Sequence, residues 1–339
     1  MKQYKVAIVG CGWIGMGAQL DLLRPHPSSH AEAVAMHERL ELVAFIDTDE
    51  QSLKHASSLY PQVRQYKEIA DLFKVIVPDV IVIATHPDSH CFYIKEAAKA
   101  GVKMILSEKP IAHDRKETEE AIAVCGKYGC ILLVNHMRRF DAVIKSFKSY
   151  INNEYVKDTA IGKVRSVIAS YDNGLYHGGT HIVDLMRYLL GEVKAVSAVI
   201  NHQVASGKDD CNVDAILQFE FGNAALYFFN SKEYALAELS LLGERGCVHF
   251  KNMWGIDIEV IGTASSPDYS AYKEPDYKNV RKFGGNRSFM TGTYDHLVNC
   301  LDGTEQPLST GHDALKTLIV LNKIEESAKN GGKQIKIEG

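Results

Sequence analysis

Two rhythms divide the chain. Short, nearly continuous apolar runs at residues 6–9, 41–46, 80–84, 104–106 and 131–134 alternate with stretches whose apolar positions recur every three or four residues. The runs predict strands buried on both faces. The intervening periodicity predicts helices over residues 30–39, 49–58, 66–73, 90–100 and 115–128. Strands alternating with helices in this way imply a parallel sheet covered on both sides. Beyond residue 161 the rhythm changes. Residues 164–170, 193–203, 214–221, 224–230, 237–242 and 247–250 read as strands with turn chemistry between them, as at Gly222-Asn223 and at Gly243 to Gly246. One helix, 181–190, interrupts the series and stops at Gly191. Residues 264–285 read as a long loop, helices follow at 288–301 and 313–330, and a strand at 334–337 closes the chain. The expected fold class is α/β: an N-terminal parallel-sheet domain over residues 1–135, then an α+β domain over 136–339 with a large open, mostly antiparallel sheet. A sheet covered on one face only leaves the other for a second copy, so a homodimer or homotetramer through that sheet is expected.

The first strand runs directly into Gly10-Cys11-Gly12-Trp13-Ile14-Gly15. In a dinucleotide-binding unit the first glycine makes the turn, the second lets backbone N–H groups approach a pyrophosphate, and the third lets the next helix pack closely. The helix expected after Gly15 is broken by Arg24-Pro25-His26-Pro27-Ser28-Ser29, because proline removes a donor and clashes with the preceding turn. The second strand ends at Asp47, followed by Thr48. An acidic residue there accepts the adenosine ribose hydroxyls and repels a 2′-phosphate, which favours NAD over NADP. Asp47 follows Gly15 by about 30 residues rather than the usual ~20, and the proline-bounded insertion accounts for the excess. Ligands in such folds sit beyond the carboxyl ends of the strands. That edge gathers residues 10–15 and Asp47 with Thr85, His86, Pro87, His90, Glu108, Lys109 and Asn135.

With 339 residues the chain is long enough for two cores, and 46% apolar and 24% charged residues are ordinary for a globular protein. A net charge of −4 without a basic block gives no footprint for nucleic acid. No apolar run suits a bilayer span, so no membrane partner is expected. The seven cysteines form no Cys-x-x-Cys pair, which points to a reduced, cytoplasmic setting.

Two clusters carry candidate chemistry. Lys109, in Glu108-Lys109-Pro110 at a strand end, can stabilise or protonate a substrate oxygen. To act as a base near neutral pH it needs burial or a cationic neighbour, since a free lysine titrates at about 10.4. The second cluster is Tyr171-Asp-Asn-Gly-Leu-Tyr176-His177-Gly-Gly-Thr180-His181-Ile-Val-Asp184. His181 opens a helix, with Asp184 three residues on, and can take a hydroxyl proton near neutral pH. The flanking glycines would let a ligand or the first domain approach the backbone closely. His177, His181 and Asp184 are all metal-ligating types, but Gly178-Gly179 spoils a His-x-x-x-His helix face, and no metal is expected.

These motifs, with His136-Met-Arg138-Arg139-Phe140-Asp141, resemble those of the glucose–fructose oxidoreductase/inositol dehydrogenase/MocA (Gfo/Idh/MocA) family, and the similarity runs over essentially the whole chain. The resemblance implies NAD(P)-dependent oxidation or reduction at a hydroxyl or keto carbon of a sugar, sugar derivative or cyclitol. It assigns Lys109 to the reacting oxygen and Glu108 and His90 to the nicotinamide ribose. It assigns His181 to general acid/base work and Arg138 or Arg139 to the substrate, with Tyr176, Thr180 and Asp184 nearby. His177 stands where inositol dehydrogenase-like members carry an aspartate, and His177 or Asp184 is the expected catalytic orienter of His181. Redox-neutral NAD-dependent lyase or glycosidase chemistry, or a non-catalytic NAD/sugar sensor, are the alternatives the family offers.

Overall fold

The computed structural model describes residues 2–152, 161–201, 210–230, 232, 234–252, 256–284 and 288–338. The chain forms two compact units, Met1–Asp141 with Ser288–Lys316, and Ala142–Arg287 with Thr317–Gly339. The sequence suggests a single boundary at residue 135. The structure instead returns a late segment to the first unit, because Met290, Tyr294, Leu297 and Val298 share a core with Val6, Ile8, Val80 and Val82.

In the first unit the strands are β1 Tyr4–Val9, β2 Leu40–Ile46, β3 Arg64–Tyr66, β4 Val80–Ile83, β5 Met104–Ser107 and β6 Ile131–Val134. They form one sheet in the order β3-β2-β1-β4-β5-β6, with every pair parallel. Alternate residues feed two cores. Val6, Ile8, Val82 and Leu106 enter one, while Ala7, Val9, Ile83 and Ile105 enter the other with Ile94, Ala97 and Ala121. Burial on both faces explains the unbroken Val/Ile runs.

The helices are α1 His30–Met36, α2 Glu50–Leu59, α3 Ile69–Phe73, α4 Pro87–Lys99 and α5 Arg115–Tyr128. Asp49 and Asp114 cap α2 and α5 by accepting first-turn N–H groups. Gly129 ends α5 in a left-handed cap at φ +67°. Three boundaries depart from the sequence expectation. Tyr66 belongs to β3 rather than to a helix, and α1 stops at Met36. The helix expected from residue 90 already begins at Pro87, where proline suits the first position.

In the second unit, α6 Ala142–Asn152, β7 Val164–Tyr171, α7 Thr180–Leu190, β8 Ala195–Ile200, β9 Val213–Gln218, β10 Asn223–Phe228, β11 Leu239–Gly243, β12 Cys247–Asn252, β13 Asp257–Ile261, β14 Thr263–Ser265, β15 Lys273–Pro275 and β16 Arg281–Phe283 follow in turn. Then come α8 Phe289–Leu301 of the first unit, α9 Gly311–Lys329, and β17 Ile335–Lys336. Nine strands form one sheet in the order β16-β13-β12-β11-β7-β10-β9-β8-β17. It is antiparallel except at β7–β10. One face, with Val167, Ala169, Leu226, Leu241 and Phe250, is buried, and Phe147 of α6 packs edge-on against Phe250. The opposite face leaves Ile168, Val199, Ile216 and Tyr227 about half exposed.

Helix α6 and strand β13 were not read from the sequence, and the stretch read as a loop at 264–285 contains β15 and β16. Residues 202–203 of the strand expected at 193–203, and residue 285 of that loop, lie outside the described residues. Among the described residues no helix is long and apolar enough to cross a membrane. No disulfide joins the seven cysteines.

Candidate functional site

The glycine loop sits where β1 ends. Gly10 has φ +97°, and a Cβ there would lie 2.6 Å from the Ala84 carbonyl oxygen. A Cβ on Gly15 would stand 2.0 Å from the Gly10 carbonyl oxygen, so only glycine permits this turn. Gly12 is different: nothing lies within 4 Å of its missing Cβ. Its exposed backbone leaves the open space that a pyrophosphate needs, and the loop fits a dinucleotide. After Gly15 the chain makes only a short 3-10 turn, Gly17–Leu20, and Arg24 stacks over the exposed Trp13 ring. The insertion then returns to the loop. Ser29 caps α1, His30 N–H donates to the Ile14 carbonyl at 3.0 Å, and Ala31 N–H donates to that of Gly15 at 2.9 Å.

Asp47 reaches back to the same loop. Its Oδ2 accepts the Cys11 N–H at 2.8 Å and its Oδ1 accepts the Asp49 N–H at 2.9 Å, with Thr48 exposed beside it. Burial, with Asp47 nearby, pushes the Cys11 thiol up to about 12, so it is no nucleophile near neutral pH.

At the ends of β4, β5 and β6 the other expected residues come together. Thr85 and Pro87 are half-buried and His86 is exposed. His90 is buried, with Nδ1 2.8 Å from the Pro110 carbonyl oxygen and Nε2 3.0 Å from that of Thr85. Burial lowers its pKa, and the neutral ring, with one proton, donates to one carbonyl at a time. Glu108 is 7% exposed. Its Oε1 accepts from Asn135 Nδ2 at 2.6 Å and from His30 Nε2 at 3.0 Å, and Oε2 accepts the Lys109 N–H at 3.3 Å. Burial works to raise this carboxyl. The hydrogen bond and charge of His30, the Lys109 ammonium and the Asn135 amide outweigh it and hold the carboxyl at about 2. Around it, Thr293 Oγ1 donates to Asn135 Oδ1 at 3.2 Å, and Tyr294 Oη lies 2.8 Å from His30 Nδ1. His30, Thr293 and Tyr294 were not read from the sequence. The one signal is that His30 shares the buried stripe of α1 with Ala33 and Val34.

Arg138 and Arg139 belong to this unit and are buried. The Arg138 guanidinium lies over the Phe289 ring, and Arg139 Nη1 pairs with Asp313 at 3.1 Å.

The second cluster lies in the other unit. Leu175–Gly179 forms a π-helical turn in which Gly179 N–H donates to the Gly174 carbonyl, and α7 continues from it. Single π turns recur at functional sites. Asp210 fixes the turn by accepting the Tyr176 and His177 backbone N–H groups at about 3 Å. Contrary to expectation, the space beside the glycines is filled by the chain itself. A Cβ on Gly178 would lie 1.8 Å from the Asp172 carbonyl oxygen, and one on Gly174 would lie 2.3 Å from Asp210 Oδ2.

His177 is exposed and His181 half-buried, while Thr180 is buried at the head of α7. Asp184 accepts from Thr317 Oγ1 at 2.9 Å and lies 3.8 Å from Arg187. Tyr176 donates to Glu325 at 2.6 Å, and burial followed by that carboxylate raises its pKa, so it stays a phenol. Among the described residues no group of three or more His, Cys, Asp or Glu is placed to hold a metal ion.

Two family descriptions match this chain. "Oxidoreductase family, NAD-binding Rossmann fold" covers residues 4–136, and "Oxidoreductase family, C-terminal alpha/beta domain" covers residues 174–337. The chain belongs to the Gfo/Idh/MocA oxidoreductase family. It is therefore an NAD(P)-dependent oxidoreductase by family, built on an NAD(P)-binding Rossmann domain. It is 23% identical to the D-apiose dehydrogenase of Paraburkholderia graminis, over 98% of this chain and 89% of that protein. It is 27% identical to the 1-carboxy-3-chloro-3,4-dihydroxycyclohexa-1,5-diene dehydrogenase of Comamonas testosteroni, over 94% of each. Among solved structures, the WlbA dehydrogenase of Bordetella pertussis, in complex with NADH and UDP-GlcNAcA, superposes with a TM-score of 0.79 at 23% identity, covering 100% of this chain and 99% of that one.

Proposed function

We propose that this Gfo/Idh/MocA member is an NAD-dependent dehydrogenase or reductase acting at a hydroxyl or keto carbon of a sugar, sugar derivative or cyclitol. The observation that carries the reading is the cluster at the carboxyl ends of one parallel sheet. The glycine loop, Asp47 and the Glu108–Lys109 strand end share that edge, with Glu108 held ionised inside the fold. Relatives named for D-apiose and for a dihydroxylated ring, and a fold relative holding a nucleotide sugar, support a polyol-type substrate.

The bound nicotinamide supplies the hydride acceptor or donor. Gly10–Gly15 backbone groups would hold the pyrophosphate, and Asp47 would accept the adenosine ribose hydroxyls, which favours NAD over NADP. Lys109 polarises the substrate oxygen. His181 takes the hydroxyl proton during oxidation and returns it during reduction, with His177 exposed one helical turn before it and Tyr176, Thr180 and Asp184 shaping the segment. Arg138 or Arg139 lines the cleft near the substrate. A panel of free sugars, sugar phosphates, nucleotide sugars and inositols, followed at 340 nm with NAD and NADP, tests the reading. Turnover of one class with NAD is expected, and saturable substrate binding without any nicotinamide absorbance change would overturn it.

The half-exposed Ile168, Val199, Ile216 and Tyr227 on the open sheet face support assembly as a homodimer or homotetramer through that face. Light scattering should then show a species of twice or four times the chain mass, and a monomer at micromolar concentration would refute it.

A further inference from the structure

We propose that His30 and Tyr294, with Glu108, form a hydrogen-bond relay that positions the Glu108–Lys109 strand end for the nicotinamide half of the cofactor. The proposal rests on the dehydrogenase reading above and adds two positioning residues to it.

Three observations carry it. First, the contacts form one continuous chain. Burial keeps the fully enclosed Tyr294 phenol protonated, and its Oη is 2.8 Å from His30 Nδ1. Glu108 is ionised and can only accept. His30 Nε2, at 3.0 Å, must therefore donate to it, while Nδ1 is hydrogen-bonded to the Tyr294 hydroxyl. The chain runs from Tyr294 Oη through the His30 ring to Glu108 Oε1. This fixes one ring orientation.

Second, His30 joins the two cofactor-facing segments of the first unit. Its backbone N–H holds the Ile14 carbonyl of the glycine loop while its ring holds Glu108. The insertion after Gly15, which breaks the expected helix, is what brings His30 there.

Third, the arrangement is costly as plain structure. His30 is 0% exposed, and a buried carboxylate with its polar partners is often no more stabilising than apolar residues of the same volume. Such a network does hold one carboxylate orientation at a sheet edge where ligands bind. The titratable groups facing Glu108 are His30 on α1, His90 on α4, Lys109 on its own strand end and Tyr294 on α8. Asn135 completes the shell from the end of β6.

NADH fluorescence titration tests the relay, with ADP as a probe of the adenosine half alone. His30→Leu removes the donor to Glu108, so NADH affinity is expected to fall tenfold or more while ADP affinity stays within twofold. Without that donor the Glu108 carboxyl rises, so NADH affinity should weaken from pH 8 to pH 5 more steeply in His30→Leu than in the unsubstituted chain. His30→Gln, whose amide can donate to Glu108 and accept from Tyr294, should recover to within about threefold. Tyr294→Phe should fall between the two. Unchanged NADH affinity in His30→Leu, or equal losses for NADH and ADP, overturns the relay while leaving the dehydrogenase reading standing. Failure of the unsubstituted chain to bind NADH overturns both.

Discussion

Asp47→Asn separates the loop anchoring by this side chain from its proposed role at the ribose. The carboxylate accepts two backbone N–H groups, Cys11 through Oδ2 and Asp49 through Oδ1, at 2.8 and 2.9 Å. An amide keeps one acceptor oxygen and turns an NH2 toward the other N–H. A hydrogen bond to a charged acceptor contributes about 1.5–3 kcal/mol, and the lower end applies because Asp47 is half-buried. With roughly 2–4 °C per kcal/mol for a domain of 150–250 residues, melting should fall by about 3–6 °C. The proposed role concerns the nucleotide. A carboxylate about 4 Å from a 2′-phosphate repels it by at least ~1 kcal/mol even at the dielectric of water, a factor of about five. The ratio of kcat/KM for NADP to that for NAD should therefore rise at least fivefold in the variant. Calorimetry reads the first quantity and steady-state kinetics the second. A lowered Tm with an unchanged cofactor ratio would leave Asp47 as a loop anchor and refute its role at the ribose.

Three further outcomes are expected. Lys109→Ala should lower kcat by orders of magnitude with NADH affinity nearly intact, and near-normal turnover would remove Lys109 from the chemistry. Gly178→Ala places a methyl 1.8 Å from the Asp172 carbonyl oxygen and should cost about 1–3 kcal/mol or more, whereas Gly126→Ala, in α5 with nothing within 4 Å, should stabilise by roughly 0.5–1 kcal/mol; equal melting shifts would refute the contrast. Glu108 falls from an ordinary 4.5 to about 2 on folding, so it contributes roughly 3 kcal/mol that is fully present above pH 4.5 and is lost as pH falls toward 2. Chemical denaturation of Glu108→Gln across that window should show a shallower acid slope than the parent, and parallel slopes would contradict the assignment.

The parallel half was legible because burial on both faces writes strands as unbroken apolar runs, as in Val6–Val9 and Val80–Ile83. The antiparallel sheet was legible in outline, since one buried face gives alternation and its turns carry glycine. Short edge strands such as Arg281–Phe283, which bury little, left no such trace. Of the candidate site, the glycine loop, Asp47 and Glu108–Lys109 follow from spacing and strand ends. His30 and Tyr294 do not, because their partnership spans more than 260 residues of chain and no local pattern encodes it. The glycines before His181 were visible, but their cause was not. They accommodate the Asp172 backbone and the Asp210 side chain, and not an incoming ligand.

The late return of Ser288–Lys316 to the first unit sets the order of events on the ribosome. When Asp141 has been made, the face of the sheet bearing Val6, Ile8 and Val82 still lacks Met290, Tyr294 and Leu297. At about 5–20 residues per second, roughly seven to thirty seconds pass before that helix is made. Throughout that interval the nascent cofactor half presents an open apolar surface and a Glu108 carboxylate whose His30 partner has no phenol behind it. A chain truncated before residue 288 would be left permanently in that state, as a client for holding chaperones rather than a free-standing nucleotide-binding module.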